Sequence, residues 1–419
     1  MTGLAEWTRD ARLPVEFGET ELAPPTDAEL VALANEHLFR GAVRAARWSF
    51  ARWKPRVALC AAYDVEFDDG ATGIVVAKRY LGDKARALAA RRREEDRELH
   101  EAVLPDQRLH LWAFPADREL PGAVRVLELH RTAKVLRELD TLGDWVLRWQ
   151  SSSVERLRYK PERRAVLRID WVVRQGSKEG PKSRMAMGAR CLPLSEIERV
   201  LRARAAAERA GLGAFAPRFL GGEARTGTLF EAWLEVQPLA RDAFARTAQA
   251  GELLARLAAL DATGAPLAHV SRLDGARDFL ELFPLGRDVL QRVASPERRV
   301  TGWVHGDLHP DQLALDRDGH GRLLDLDALG RGDPADDCAS WLADRLAADP
   351  RADFDAIAPE LCGPAGLARE LDRVRSHTAE ALALRAAAAL RRLEAGGRAR
   401  AESLCARALE LATLRGVTA

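Results

Sequence analysis

Three polar groups in the C-terminal third limit what this chain can fold into. They stand in Val304-His-Gly-Asp-Leu-His-Pro-Asp-Gln312 and Leu323-Leu-Asp-Leu-Asp327, and Gly332-Asp333-Pro-Ala-Asp-Asp337 follows. A loop carboxylate (Asp307), an amide five residues on (Gln312) and a carboxylate thirteen beyond that (Asp325) converge if a short β-hairpin lies between them. Leu313 to Leu324 has that pattern, with its turn at Asp318-Gly319. Oxygen donors of this kind suit a hard cation such as Mg²⁺. Asp327, Asp333 and Asp336 read equally well as ligands or as loop-capping and solvated carboxylates.

Composition excludes several other classes. At 419 residues the chain is long enough for two to four structural units, and its 47 % hydrophobic and 30 % charged content is that of a soluble protein with filled cores. A net charge of +1 steers it toward neither nucleic acid nor an anionic membrane. The opening residues lack the apolar stretch of a secretory signal, and no apolar run reaches the roughly 18 residues of a spanning helix. The five cysteines are scattered and form no CxxC pair, so they read as small buried hydrophobes in a reducing cytoplasm.

Along the chain, 24–46 reads as helix. A β-hairpin follows, with runs at 57–67 and 73–80 and a turn at 68–70. A charged helix spans Lys84 to Leu99, and 109–115 is a short strand. The pattern then recurs. Arg52-Trp-Lys-Pro-Arg-Val-Ala-Leu59 compares with Arg158-Tyr-Lys-Pro-Glu-Arg-Arg-Ala-Val-Leu167, each followed by a β-rich run, a polar turn and a second run, which points to an internal duplication. A helix is expected over 194–210, a turn at 219–222 and a strand at 227–234. After Pro238 the rest reads as helical apart from 301–333, ending in helices at 377–394 and 399–414 split by Gly396-Gly397.

The segments HGDLHPDQ and LLDLDALGRGDPADDCA resemble the catalytic and metal loops of the aminoglycoside phosphotransferase and choline kinase group, relatives of protein kinases. The resemblance covers roughly 154–419. It implies an α+β, protein-kinase-like bilobal fold: a β-rich N-lobe over 151–239 and a helical C-lobe over 240–419. An extra α+β domain over 1–150 precedes them and is a candidate repeat of the N-lobe β-unit, as some maltokinase-like relatives carry a domain there. It implies ATP and Mg²⁺ as cofactors and a hydroxyl-bearing small molecule as acceptor, with a peptide hydroxyl as a further option. By position Asp307 matches the catalytic Asp, Gln312 the metal-binding Asn and Asp325 the second metal ligand. His305 and Asp337 match bracing residues. On the nucleotide side Arg190 falls at the β3 lysine position, with Glu198 favoured as its helix-borne partner over Glu196 and Glu208. Trp233 falls near the adenine hinge. Lys160, Arg163 and Arg164 sit in a loop able to cover the phosphates.

Two departures keep other readings open. Gln312 for Asn lengthens the side chain by a methylene, and Arg190 replaces a compact lysine by a forked guanidinium. Both suit a pseudokinase that binds nucleotide as an interaction module. Lys78, in the first copy, sits in a run more like β3 than the second copy does. It belongs to a degenerate cap, or reaches the active site, or is a surface lysine. From Ser340 onward 12 Arg and no Lys face 11 Asp plus Glu. That balance lacks the acidic well which the drug-modifying relatives use for polycations.

Overall fold

The structure is a computed structural model that describes residues 10–90, 100–139, 142–177, 179–238 and 246–413. The charged run expected to carry a helix to Leu99 falls largely outside these; its described part is helical over Lys84–Ala90.

Two antiparallel sheets form the first half. The N-terminal one comprises β1 (Val43–Lys54), β2 (Ala58–Phe67), β3 (Thr72–Tyr80), β4 (Glu101–Leu104) and β5 (Leu109–Ala113), in the order β1-β2-β3-β5-β4. The other comprises β6 (Trp145–Leu147), β7 (Ser153–Lys160), β8 (Arg164–Gln175), β9 (Lys182–Cys191), β10 (Phe219–Glu223) and β11 (Thr228–Ala232). Its strands run β7-β8-β9-β11-β10, with the short β6 paired to the far end of β8. This sheet therefore draws β6 from ahead of residue 151.

The two sheets share more than strand order. Arg52 lies opposite Cys60, which lies opposite Lys78; Arg158 lies opposite Val166, which lies opposite Arg190. Both first hairpins turn through Lys-Pro-X, with Arg56 at φ 60° and Glu162 at φ 58°. A helix follows the third strand in each, Lys84–Ala90 after β3 and Leu194–Arg209 after β9. The aromatic-Lys-Pro pattern legible in the sequence thus marks one supersecondary unit present twice, with Lys78 the counterpart of Arg190.

Burial explains the stacking. In β2, Leu59, Ala61 and Tyr63 on one face and Cys60 and Ala62 on the other are all buried. Cys60, Ala62, Val76 and Trp112 share a core with Leu167, Ile169, Met187 and Ala189 of the second sheet, whereas Leu59, Tyr63 and Val75 join the core that runs on into the C-terminal half. A strand apolar on both faces has to be covered on both.

Two local expectations need correction. The helix expected over 24–46 stops at Phe39, because Arg40 and Gly41 turn left-handed (φ 53° and 97°) and lead into β1. The turn expected at 219–222 is strand β10, paired to β11. Past residue 246 the chain is mostly helical. Its strands among the described residues are β14 (Leu313–Leu315) and β15 (Gly321–Leu323), which form a small sheet with the earlier β12 (Gln237–Pro238), and the pair β13 (Gly302–Val304) with β16 (Gly330–Gly332). The helix Pro334–Ala348 packs against β13, and Leu371–Arg391 packs against Pro334–Ala348 in turn. No helix among the described residues is long and apolar enough to cross a membrane.

Candidate active site

The loop after β13 carries Asp307, and its shape is enforced from below. Asp337, buried in the first turn of Pro334–Ala348, accepts the backbone N–H of His305 at 2.6 Å and of Gly306 at 2.9 Å. Burial pushes this carboxyl up to about 6. His305 donates from Nε2 to the Leu324 carbonyl at 2.7 Å, and its Nδ1 accepts the Asp307 N–H at 3.4 Å. Gly306 has φ 84°, and a Cβ there would come within 2.7 Å of the Ala328 carbonyl. The Asp307 side chain is exposed and makes no hydrogen bond or ion pair among the described residues.

The expected hairpin is present as β14 and β15, with Gly319 at φ 80° in its turn. It brings Gln312 Nε2 to 3.1 Å from Asp325 Oδ2 and 2.8 Å from His309 Nε2. Asp325 itself is left-handed (φ 57°), a conformation a non-glycine residue adopts under constraint. Its side chain is held by two guanidinium groups. Its Oδ1 accepts from Arg190 Nη1 at 2.7 Å and from Arg164 Nη1. Burial works to raise the Asp325 carboxyl, but Arg190 and Arg164 outweigh it and hold it well below the usual range. Burial pushes the neighbouring Asp327 up.

Arg190 stands on β9, and its partners differ from the expected one. Glu198 is exposed on the helix Leu194–Arg209. Arg190 Nε instead donates to Glu231 Oε1 of β11 at 3.0 Å, and Arg204 of that helix holds the other Glu231 oxygen at 3.2 Å. A forked guanidinium reaches a strand neighbour and Asp325 together, so no carboxylate from the helix is needed. The helix contributes Arg199, which donates to the carbonyls of Asp327 and Leu329. The pairing of Glu231 with Arg190 was hidden in the sequence, because it depends on the register of β11 against β9.

The other candidates divide by place. Lys160 and Arg164 flank the β7–β8 turn, and burial, with Arg164 and Arg158 nearby, lowers the Lys160 ammonium to about 7. Arg164 Nε is buried without a hydrogen-bond partner among the described residues. Trp233 lies half-buried just past β11 with the Arg168 guanidinium 4.9 Å over its ring. Of the ambiguous carboxylates, Asp333 caps Pro334–Ala348 through the Ala335 N–H, and Asp336 pairs with Arg298 and His377. Lys78 neither enters the site nor stands free on the surface: it is half-buried and paired with Glu162.

Residues 132–369, more than half of the chain, match the phosphotransferase enzyme family (APH). The chain belongs to this family. It is a kinase-type phosphotransferase, with the sheet-rich lobe and helical lobe of the kinase-like fold. Among solved structures it is similar to a choline/ethanolamine kinase family protein from Mesorhizobium loti (18 % identity, 67 % of this chain and 94 % of that one, TM-score 0.42). Others are a choline kinase from Streptococcus pneumoniae (10 %, 67 % and 99 %, TM-score 0.41) and a macrolide 2'-phosphotransferase from Brachybacterium faecium (18 %, 66 % and 97 %, TM-score 0.34). No curated protein matches the chain.

Proposed function

We propose that this phosphotransferase moves the γ-phosphate of ATP to a hydroxyl of a small polyhydroxy molecule, with Asp307 as the base. The carrying observation is Asp307: an exposed, unpaired carboxylate on a loop braced by Asp337 and His305. In that reading Asp307 orients the acceptor hydroxyl and takes its proton. The hydroxyl oxygen bonds to the γ-phosphorus, the bond to the β,γ-bridging oxygen breaks, and ADP leaves. Lys160 and Arg164 face the phosphates, and the unpaired Arg164 Nε is a donor suited to them.

The donor set fits Mg²⁺. Asp325 and Gln312 converge, and turning the Gln312 amide over exchanges its nitrogen for an oxygen without changing its shape. These two side chains would hold the ion, which would neutralise charge on the β- and γ-phosphates. Arg164 shares Asp325 Oδ1 and is the group that must yield to the ion.

The same guanidinium contacts favour a second reading, in which Arg164 and Arg190 supply the positive charge and the protein binds nucleotide without turnover. Thermal unfolding with and without ATP plus Mg²⁺, on wild type and Asp325→Ala, separates the two. A Mg²⁺-dependent rise in Tm that Asp325→Ala reduces supports the kinase, because a ligand of the folded state stabilises it by mass action. A rise independent of Mg²⁺ supports the second reading, and no rise at millimolar ATP overturns both.

A further inference from the structure

The hairpin that brings Lys160 and Arg164 to the cleft is gripped from behind. At its tip, Glu162 accepts from Lys78 Nζ at 2.5 Å and from Arg52. The Glu162 N–H donates to Asp117 Oδ2 at 2.8 Å, and the Tyr159 hydroxyl donates to the same oxygen at 2.7 Å. Trp112 Nε1 in turn donates to that hydroxyl at 2.9 Å. All four holders, Arg52, Lys78, Trp112 and Asp117, come from the N-terminal sheet or the turn just after it. The Lys78 and Glu162 side chains are only 12 % and 15 % exposed, so salt screens their pair little. On the opposite side the same hairpin is tied to Asp325 and Asp327 through Arg164.

Glu162 also needs this grip. Its φ of 58° is unfavourable for a residue with a side chain, and such a conformation persists where surrounding contacts over-determine it. The repeat accounts for where those contacts come from. Lys78 occupies, in the N-terminal sheet, the rung that Arg190 occupies in the second. Arg190 turns to Asp325 at the cleft, whereas Lys78 turns to the carboxylate at the next hairpin's tip.

We infer that Lys78, with Arg52, is a positioning residue for the nucleotide: the N-terminal sheet holds Glu162 so that Lys160 and Arg164 stand ready for the phosphates. This rests on the ATP reading above. Without the grip, ordering the hairpin becomes a cost of binding ATP, and affinity falls. Proton transfer at Asp307 is untouched, since Lys78 contacts nothing there.

The test is the Kd for ATP with Mg²⁺, by calorimetry on folded protein well below Tm, for wild type, Lys78→Met, Lys78→Arg, Glu162→Met and the Lys78→Met/Glu162→Met pair. Lys78→Met is expected to weaken ATP by about tenfold or more. Lys78→Arg is expected to recover most of that, and the double variant to bind no worse than the weaker single, as for two residues acting as one unit. A purely structural role for Lys78 would lower Tm and leave the Kd of the folded protein alone. If wild type binds ATP and Lys78→Met binds equally well, or if the two losses simply add, the positioning role is overturned while the kinase reading stands. If wild type itself fails to bind ATP, the kinase reading falls and the inference falls with it.

Discussion

At the residue scale, two side chains make opposite demands on charge. In the proposed reaction Asp307 has to stay free, and the fold leaves it exposed while satisfying the backbone around it. Replacing it by Asn keeps the shape and removes the proposed base. Asp307→Asn is expected to lower phosphoryl transfer by about 10²- to 10⁴-fold, measured as ADP release with acceptor present, while the Tm gain with ATP persists. In the proposed nucleotide site Lys160 has to be charged to meet a phosphate, yet burial and its arginine neighbours lower it to about 7. Its folded pKa lies below that of the unfolded chain, so between about pH 7 and 10 the unfolded state holds the extra proton. Free protein therefore gains stability from this group as pH rises through that window. Nucleotide binding works the other way: above pH 7 it must draw a proton onto Lys160. ATP affinity is expected to weaken from pH 6.5 to 8.5, with proton uptake visible as a buffer-dependent binding enthalpy. Lys160→Met should flatten both.

At the scale of elements, the register of three strands decides the electrostatics. Arg190 on β9 and Glu231 on β11 reach each other across paired strands, and the helix Leu194–Arg209 adds Arg204 to the second Glu231 oxygen. This chain of charges ends at Asp325, so the sheet and the loop that carries Asp325 are one network. Arg190→Met strips Glu231 and Asp325 of a shared buried partner and is expected to cost about 3–5 kcal/mol in urea unfolding. Arg190→Lys should recover only part of it, since one ammonium cannot span both carboxylates. Much of this element was legible beforehand: the hairpin between Gln312 and Asp325 and the helix at 194–210 follow from local pattern, and the family resemblance pointed to Arg190. Glu198 as its partner did not hold, because helix periodicity does not say which face meets the strand.

Across the whole molecule, the N-terminal sheet is built into the phosphotransferase part. Val76 and Trp112 share a core with Leu167 and Met187, and Trp53 stacks edge-on against Phe279 of the helical half. Shared cores couple the units, so a single unfolding transition is expected, with far-ultraviolet dichroism and tryptophan fluorescence coinciding in urea. Two separated transitions would mean that the sheet unfolds on its own, and would leave the Lys78–Glu162 grip without a rigid base.

The sequence by itself determined the reaction class and the repeat. The approach of Gln312 to Asp325 is read from spacing, because a hairpin of that length has few ways to close, and the two aromatic-Lys-Pro turns are visible side by side. Only the tertiary structure decided which charges meet. Glu231 with Arg190, Arg164 with Asp325, and Lys78 with Glu162 are pairs 41, 161 and 84 residues apart. Nothing local selects them. They form because burying these cations in a shared interior requires an opposite charge within reach, and strand register and sheet stacking settle which one it is.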